Sequence, residues 1–347
     1  MYNKWYICWL LGMLFCLSYT EKQKDDSAFV PDLLNEAKES IRYSQFVDSL
    51  EYLPLETSGK CLIGKIKDVY IGRECVFVFD DRMQTVWIFN RKGNHLGEIR
   101  KSGNGPGEYG NAQQFEVDEA NRQIVLLDIW TNKLLHYDWK GGFLKEVPLE
   151  VRAMDFKLLP SGGYVVSLAG SDTDAAGIYQ VDASGKVVRR LVKRDERSSI
   201  YTQLSWELCS VGDNVCFMSP IFENDAYSFD GEELVLRYAF DMQPPLKHHY
   251  GKDDTFQHME DFSRTQYIES DGWIYAVYWS SVYDLRCFLF SKKEQRYWIG
   301  KSLVNDLDGV NANGRTSATQ GNTFTFWYIP EGAEEENPVL QIMHLKS

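Results

Sequence analysis

The chain has 347 residues, 50 of them acidic and 37 basic, for a formal charge of −13. That balance disfavours generic binding to nucleic acid or anionic lipid, which needs clustered Lys and Arg, and no basic run interleaved with aromatics occurs. Aromatic residues at 14% beside only 10 Pro exclude a disordered chain and indicate a β-rich one, long enough for one repeat-built domain or two ordinary ones.

Residues 1–20 read as an export signal. Lys4 precedes an uncharged apolar stretch, Trp5 to Tyr19, too short to span a bilayer as a helix, and polar Thr20 to Ser27 follows. Cys16 stands where a lipid-modified cysteine would, although Phe15 fills the place of the small residue expected before it. Cleavage after Ser18 or Thr20 is the competing reading. The expected location is the outer membrane, as a lipoprotein, or the periplasm, with membrane contact only through an N-terminal lipid. Residues 21–40 form a linker with a helix-compatible stretch, Asp32 to Ile41.

Five cysteines follow the leader: Cys61, Cys75, Cys209, Cys216 and Cys287. An odd, scattered set without C-x-x-C spacing is neither a disulfide framework nor a zinc site. If Gly212-Asp213 is a two-residue hairpin turn, Cys209 lies opposite Cys216. Their Cα atoms would be about 4.5–5.5 Å apart, the short end of the disulfide range, which allows a strained bond but favours two reduced, buried thiols.

From residue 41 a unit recurs: strand, polar loop, strand, Asx-initiated turn, strand. Copies are Val76–Phe79, Thr85–Phe89 and Leu96–Ile99; Ile124–Leu127, Leu134–Tyr137 and Phe143–Val147; Tyr164–Leu168, Ile178–Val181 and Val187–Leu191. Two more follow, Val215–Met218, Ala226–Phe229 and Leu234–Ala239, then Trp273–Trp279, Leu285–Phe290 and Tyr297–Ile299. The turns start at Asn90, Asp138, Asp182, Asp230 and Ser291, spaced 48, 44, 48 and 61 residues apart. Short strands at a period in the forties are the signature of propeller blades. An insertion at 243–262 accounts for the last spacing. It carries His248, His249 and His258, and adjacent histidines on a strand point to opposite faces, a poor chelate. His136 and His344 alternate with apolar residues and read as packing.

A sixth copy, Thr323–Tyr328 and Val339–Leu345, lacks its fourth strand, and Phe46 to Glu56 has the alternation to supply it. The expected fold is therefore all-β: a six-bladed β-propeller of four-stranded antiparallel blades over 41–347, closed by an N-terminal strand joining the C-terminal blade.

In such a blade, the loop between strands two and three and the loop to the next blade leave on one face. That face collects Asp80–Gln84, Gly103–Gly107, Asp128–Lys133, Ser280–Asp284 and Asn305–Arg315, and a ligand is expected there, near the channel mouth. The loop Gly103–Tyr109 reads G-N-G-P-G-E-Y. Strands flank it on both sides, so it is neither a P-loop nor a dinucleotide fingerprint.

This loop closely resembles the G-R-G-P-G-E-Y loop of the six-bladed, NHL-like β-propeller lipoproteins of Bacteroides-type gut bacteria. The resemblance extends to Y-L-P-L-E-T at Tyr52–Thr57, N-D-L at Asn305–Leu307 and N-P-V-L-Q-I at Asn337–Ile342. It implies the propeller fold and export, usually with a lipid anchor, but no activity, since members largely lack an assigned one. Asn104 stands where Arg is common, although Arg100 and Lys101 lie nearby.

Candidate ligand-binding residues are Arg100, Asn104, Glu108 and Tyr109 around the loop, Asp80, Arg82 and Asp128 on the same face, and Arg315. Trp130, Trp279 and Tyr283 could stack on sugars or peptides. Asp80 and Asp128 also read as turn caps. Asp138, Asp182 and Asp230 begin turns and belong to the backbone. No D-x-D-x-D spacing marks calcium, the one cation such loops could hold, and no metal or cofactor is expected. No G-x-S-x-G elbow occurs, and no catalytic residues are assigned. The leading expectation is a non-catalytic module binding a glycan or peptide. Alternatives are a lyase or hydrolase using loop-face carboxylates with Arg100 or Arg315, and a structural partner of an outer-membrane uptake complex.

Overall fold

The computed structural model describes residues 40–168, 177–193, 208–218, 225–240, 263–281, 284–312, 317–318 and 321–347. The chain enters through β1 (Ile41–Arg42), a 3-10 turn at Tyr43–Gln45 and β2 (Val47–Pro54). Ile41, expected at a helix end, is thus extended, and residues 32–39 lie outside the described set. Blade one is β3 (Ile66–Ile71), β4 (Cys75–Asp80), β5 (Thr85–Asn90) and β6 (His95–Ile99). Blade two is β7 (Ala112–Asp118), β8 (Gln123–Asp128), β9 (Lys133–Asp138) and β10 (Phe143–Pro148). Blade three is β11 (Asp155–Leu158), β12 (Tyr164–Leu168), β13 (Gly177–Val181) and β14 (Val187–Lys193).

Blade four is β15 (Leu208–Val211), β16 (Asn214–Met218), β17 (Asp225–Phe229) and β18 (Leu234–Ala239). Blade five is β19 (Ser263–Glu269), β20 (Trp273–Ser281), β21 (Asp284–Ser291) and β22 (Arg296–Gly300). Short β23 (Leu303–Val304) pairs in parallel with β1. Blade six is β24 (Ser317–Ala318), β25 (Thr323–Tyr328) and β26 (Val339–Leu345), with β2 as its outermost strand. Each innermost strand lies beside those of the two neighbouring blades, so six sheets close a ring. The insertion at 243–262 lies outside the described residues.

Period-2 alternation explains why the blades pack into a ring. Along β5, Val86 and Ile88 face blade two while Trp87 and Phe89 face blade six. The same split holds on β8, with Ile124 and Leu126 toward blade one and Val125 and Leu127 toward blade three. Central strands buried on both faces read as continuous apolar runs, as Cys75–Asp80 does. Each seam between blades carries its own cluster of buried side chains, each side chain contributing about 1.5–3 kcal/mol by burial.

The recurrent turns are built as their sequence suggests. Oδ1 of Asn90, Asp138 and Asp182 accepts the backbone N–H groups two and four residues on, at 2.8–3.1 Å. Gly93 and Gly185, with φ of 82° and 89°, meet the end of the preceding blade's outer strand. A Cβ there would stand 1.9 Å from the Pro54 carbonyl oxygen and 1.8 Å from that of Pro148. The P-L-E sequence at 54–56 recurs at 148–150, and both copies clamp the next turn. Glu56 N–H donates to Gly93 O at 2.8 Å and Glu150 N–H to Gly185 O at 2.9 Å, while both carboxylates accept a backbone N–H beyond the glycine.

Ring closure gathers the motifs that carry the family resemblance. β2 pairs with β26 from Val47–Leu345 to Pro54–Val339. Tyr52 donates its hydroxyl to Asp308 at 2.6 Å and accepts from Gln341 Nε2 at 3.1 Å. Asn305 starts the turn that presents Asp308. Asn337, 3% exposed, donates to the carbonyls of Glu56 and Cys61 and accepts from Ile63 N–H at 2.7 Å. These side chains fasten the two ends of the chain together.

Candidate functional site

The innermost strands are either short, as β11, β15 and β24 are, or irregular, and the irregularity shapes the channel. In β3, β7 and β19 one residue bulges, at Lys67, Gln113 and Thr265, and the pairing resumes at Asp68, Gln114 and Gln266. A bulge re-aims the side chains that follow it. All three are buried polar residues in the wall of a central cavity of about 840 Å³. Its rim consists of the turns between first and second strands, including Arg73, Glu119, Gly162, Asp213 and Gly321, with Trp139 and Tyr70 beside them. The cavity therefore opens on the rim opposite the loops on which the sequence placed a ligand.

Within it, Lys157 of β11 is ion-paired with Glu116 of β7, each only 10% exposed at the side chain. Asp155 and Asp68 lie close enough to act on both. Burial pushes the Glu116 carboxyl up to about 7, against the pull of Lys157. Burial also works to discharge Lys157, but Glu116, Asp155 and Asp68 outweigh it and hold the ammonium above its ordinary range. Gln114 Nε2 donates to Asp68 at 3.3 Å, and Asp155 accepts from Leu208 N–H at 3.2 Å. Carboxylates, amides, one ammonium and the aromatic residues Tyr70, Phe115, Trp139 and Tyr267 thus line one concave space.

A second polar cluster lies at the seam of blades four and five. Glu269, fully buried, receives Arg237 Nη2 at 2.6 Å, Lys292 Nζ at 2.5 Å and the Tyr267 hydroxyl. Burial would raise its pKa, yet the two cations hold it below the ordinary value. Its oxygens are saturated, so it joins blades rather than facing a ligand.

On the loop face the expected residues divide sharply. Asp80 and Asp128 are wholly buried. Asp80 accepts the N–H groups of Gly64, Lys65, Arg82 and Met83 at 2.6–3.0 Å. Asp128 accepts those of Gly110, Asn111 and Trp130 at 3.0–3.1 Å and the Thr131 hydroxyl at 2.7 Å. Each ties its own blade's turn to the connector that enters the blade. Burial opposes ionisation of Asp128, but these donors outweigh it and lower its pKa.

Tyr109 is buried, its hydroxyl donating to Gln84 O at 2.6 Å. Glu108 folds back to accept Gly105 N–H at 2.8 Å, its carboxylate filling the space a Cβ on Gly103 would need. Phe143 covers Gly107 and Trp130 covers Gly110, so the loop's glycines admit rings pressed on its backbone. Arg82, Arg100, Asn104 and Trp130 remain exposed, Trp130 at 69%. Trp279 belongs to β20. Tyr283 and Arg315 lie outside the described residues, as do Cys16 and the three histidines of the insertion.

Sequence reasoning passed over Asp68, Glu116, Asp155 and Lys157. Their signal was a charged residue at an alternating position inside short apolar runs, K-I-K-D-V-Y-I, F-E-V-D and M-D-F-K-L. Among the described residues no group of three or more His, Cys, Asp or Glu side chains is arranged to hold a metal. His136 sits between Gln123 and the Tyr164 hydroxyl, at 3.1 and 3.0 Å, where burial lowers its pKa to about 4.

Residues 29–344 match the family described as a domain of unknown function, DUF4934. Among solved structures, the chain is similar to a protein of Bacteroides fragilis NCTC 9343 that carries a provisional description as exported. The two share 18% identity and a TM-score of 0.72, over 92% of this chain and 99% of that one. It is also similar to a DUF4221 family member from Bacteroides vulgatus ATCC 8482, with 9% identity and a TM-score of 0.51 over 90% and 99% of the two chains. At these identities the likeness concerns the fold. No curated protein matches the chain.

Proposed function

Because the chain belongs to the DUF4934 family, whose function is unknown, the fold brings no activity with it, and we propose from the cavity that this is an exported binding module. Its ligand, a glycan or peptide segment, enters the central channel from the rim of first-to-second-strand turns. The observation that carries this reading is a concave space of about 840 Å³ lined by Asp68, Gln114, Glu116, Lys157 and Gln266, with Tyr70 and Trp139 at its edge. Pockets that take polar ligands combine a few convergent hydrogen-bonding groups with aromatic area in this way. Export fits the leader and the description of the Bacteroides fragilis relative, and the leader's Cys16 is the proposed point of lipid attachment.

A thermal-shift screen against glycans and peptides, followed by titration, tests the reading with two variants. Ser210, exposed on β15 in the channel wall, becomes an obstruction as Ser210→Trp. Trp130→Ala removes the exposed ring of the loop face. Loss of binding in Ser210→Trp with binding retained in Trp130→Ala supports the channel. The reverse pattern moves the ligand to the loop face.

Glu116 favours a second reading. A carboxyl raised to about 7 and set beside a lysine and two aspartates is suited to general acid–base work at neutral pH, as in a lyase or hydrolase. Turnover of a bound glycan that disappears in Glu116→Gln while binding persists would establish it.

A further inference from the structure

Gly212-Asp213 is a two-residue turn, closed by the pair Val211–Asn214, and Cys209 then falls directly opposite Cys216. Gly212 has a φ of 57°, as such hairpin turns require. Pairs alternate outward from the turn, which makes Cys209 and Cys216 a hydrogen-bonded pair with Cα atoms about 5.5 Å apart. That separation lies at the commonest disulfide spacing. Both side chains point to the same side of the sheet, toward blade five. Cys209 packs among Tyr267, Ile274 and Phe288, with its thiol 3.6 Å from the Tyr267 carbonyl.

Both thiols are free and only 2% exposed. Blade five covers them, and burial pushes the Cys216 thiol up to about 12 and that of Cys209 still higher. A thiol so held forms almost no thiolate and does not attack a disulfide. The hairpin itself is local, with its partners seven residues apart and all its pairing within blade four, so its register does not depend on blade five. Register is therefore present before protection is.

We propose that Cys209 and Cys216 are a site of oxidative cross-linking, open while blade five is undocked and closed once it packs. The co-reactant is a disulfide, such as an oxidised thiol–disulfide exchange protein or oxidised glutathione. The first cysteine's thiolate attacks that disulfide, forming a mixed disulfide and releasing one thiol. The second cysteine's thiolate attacks the protein sulfur of the mixed disulfide and expels the other thiol. One Cys209–Cys216 bond forms, two protein thiols are oxidised, and one external disulfide is reduced to two thiols, which take up the two protons that the cysteines give up. The bond ties innermost strand β15, which lines the channel, covalently to β16.

The test uses the purified full chain and oxidised glutathione in two arms. One arm exposes folded protein to the reagent; the other refolds denatured protein in the same buffer, and both are then alkylated and peptide-mapped. The expected result is a Cys209–Cys216 bond in more than half of the refolded molecules with a native near-ultraviolet spectrum, and at least tenfold less in the folded arm. No bond in the refolded arm overturns the proposal. So do bonds scattered equally over Cys61, Cys75 and Cys287, or a bonded product that lacks the native spectrum. Equal linkage in both arms overturns the protective role of blade five, on which the proposal depends.

Discussion

Lys157 and Glu116 are ion-paired across the seam between blades two and three, in the wall of the central cavity. Removing one partner of a buried pair costs more than the pair itself contributes, because the other charge stays buried. Lys157→Met is expected to destabilise the fold by about 3–5 kcal/mol, and Lys157→Met combined with Glu116→Leu by clearly less. Urea unfolding of the single and double variants measures this. Equal losses in both would show that the two side chains are not coupled.

Glu116 also sets a pH dependence. Its folded pKa is raised to about 7 from the ordinary 4.5, so the folded chain holds its proton more tightly than the unfolded chain. The stabilisation is complete below the unfolded value and is lost as pH rises through the folded one. Compared with Glu116→Gln, the wild-type protein should lose roughly 1–3 kcal/mol between pH 5 and 7.5. A stability difference that stays flat over that window would contradict the assignment.

Asn337 joins the loop before β26 to the connector after β2 through three backbone groups. Asn337→Leu keeps the volume and leaves those groups buried without partners, for a loss of about 2–4 kcal/mol. Limited proteolysis should then cut first near residues 55–65, where the connector is released. A variant as stable as wild type would mean that strand pairing alone closes the ring.

Asp80 and Asp128 are expected to report on the fold. Asp128→Ala leaves the N–H groups of Gly110, Asn111 and Trp130 unmet and should lower stability by about 2–4 kcal/mol. Ligand affinity, measured well below the melting temperature, should stay within twofold of wild type. A large drop in affinity with unchanged stability would return these carboxylates to the ligand.

The repeat was legible because its turns are local. Asn90, Asp138 and Asp182 bond their own backbone within four residues, so their chemistry is written in consecutive letters. The closing strand was legible too, since the sixth unit lacked a strand and Val47–Pro54 supplies it, although a register shift after Val47 keeps its burial from alternating strictly. The cavity was not. β11 and β15 are four residues long, too short to show a period, and Asp68, Gln114 and Gln266 follow bulges that break alternation. The charged residues meet only when the ring closes, and no spacing along the chain records it. Asp80 and Asp128 look alike in sequence whether they face a ligand or a backbone, and only burial separates the two.

Val47 is paired with Leu345, and this has a kinetic consequence. β2 must wait for β26, five blades further along the chain, so the sixth sheet cannot assemble while either strand is held back. Completion of the wheel is thereby tied to the arrival of β26, and until it arrives β2 and β25 each lack the strand that lies between them.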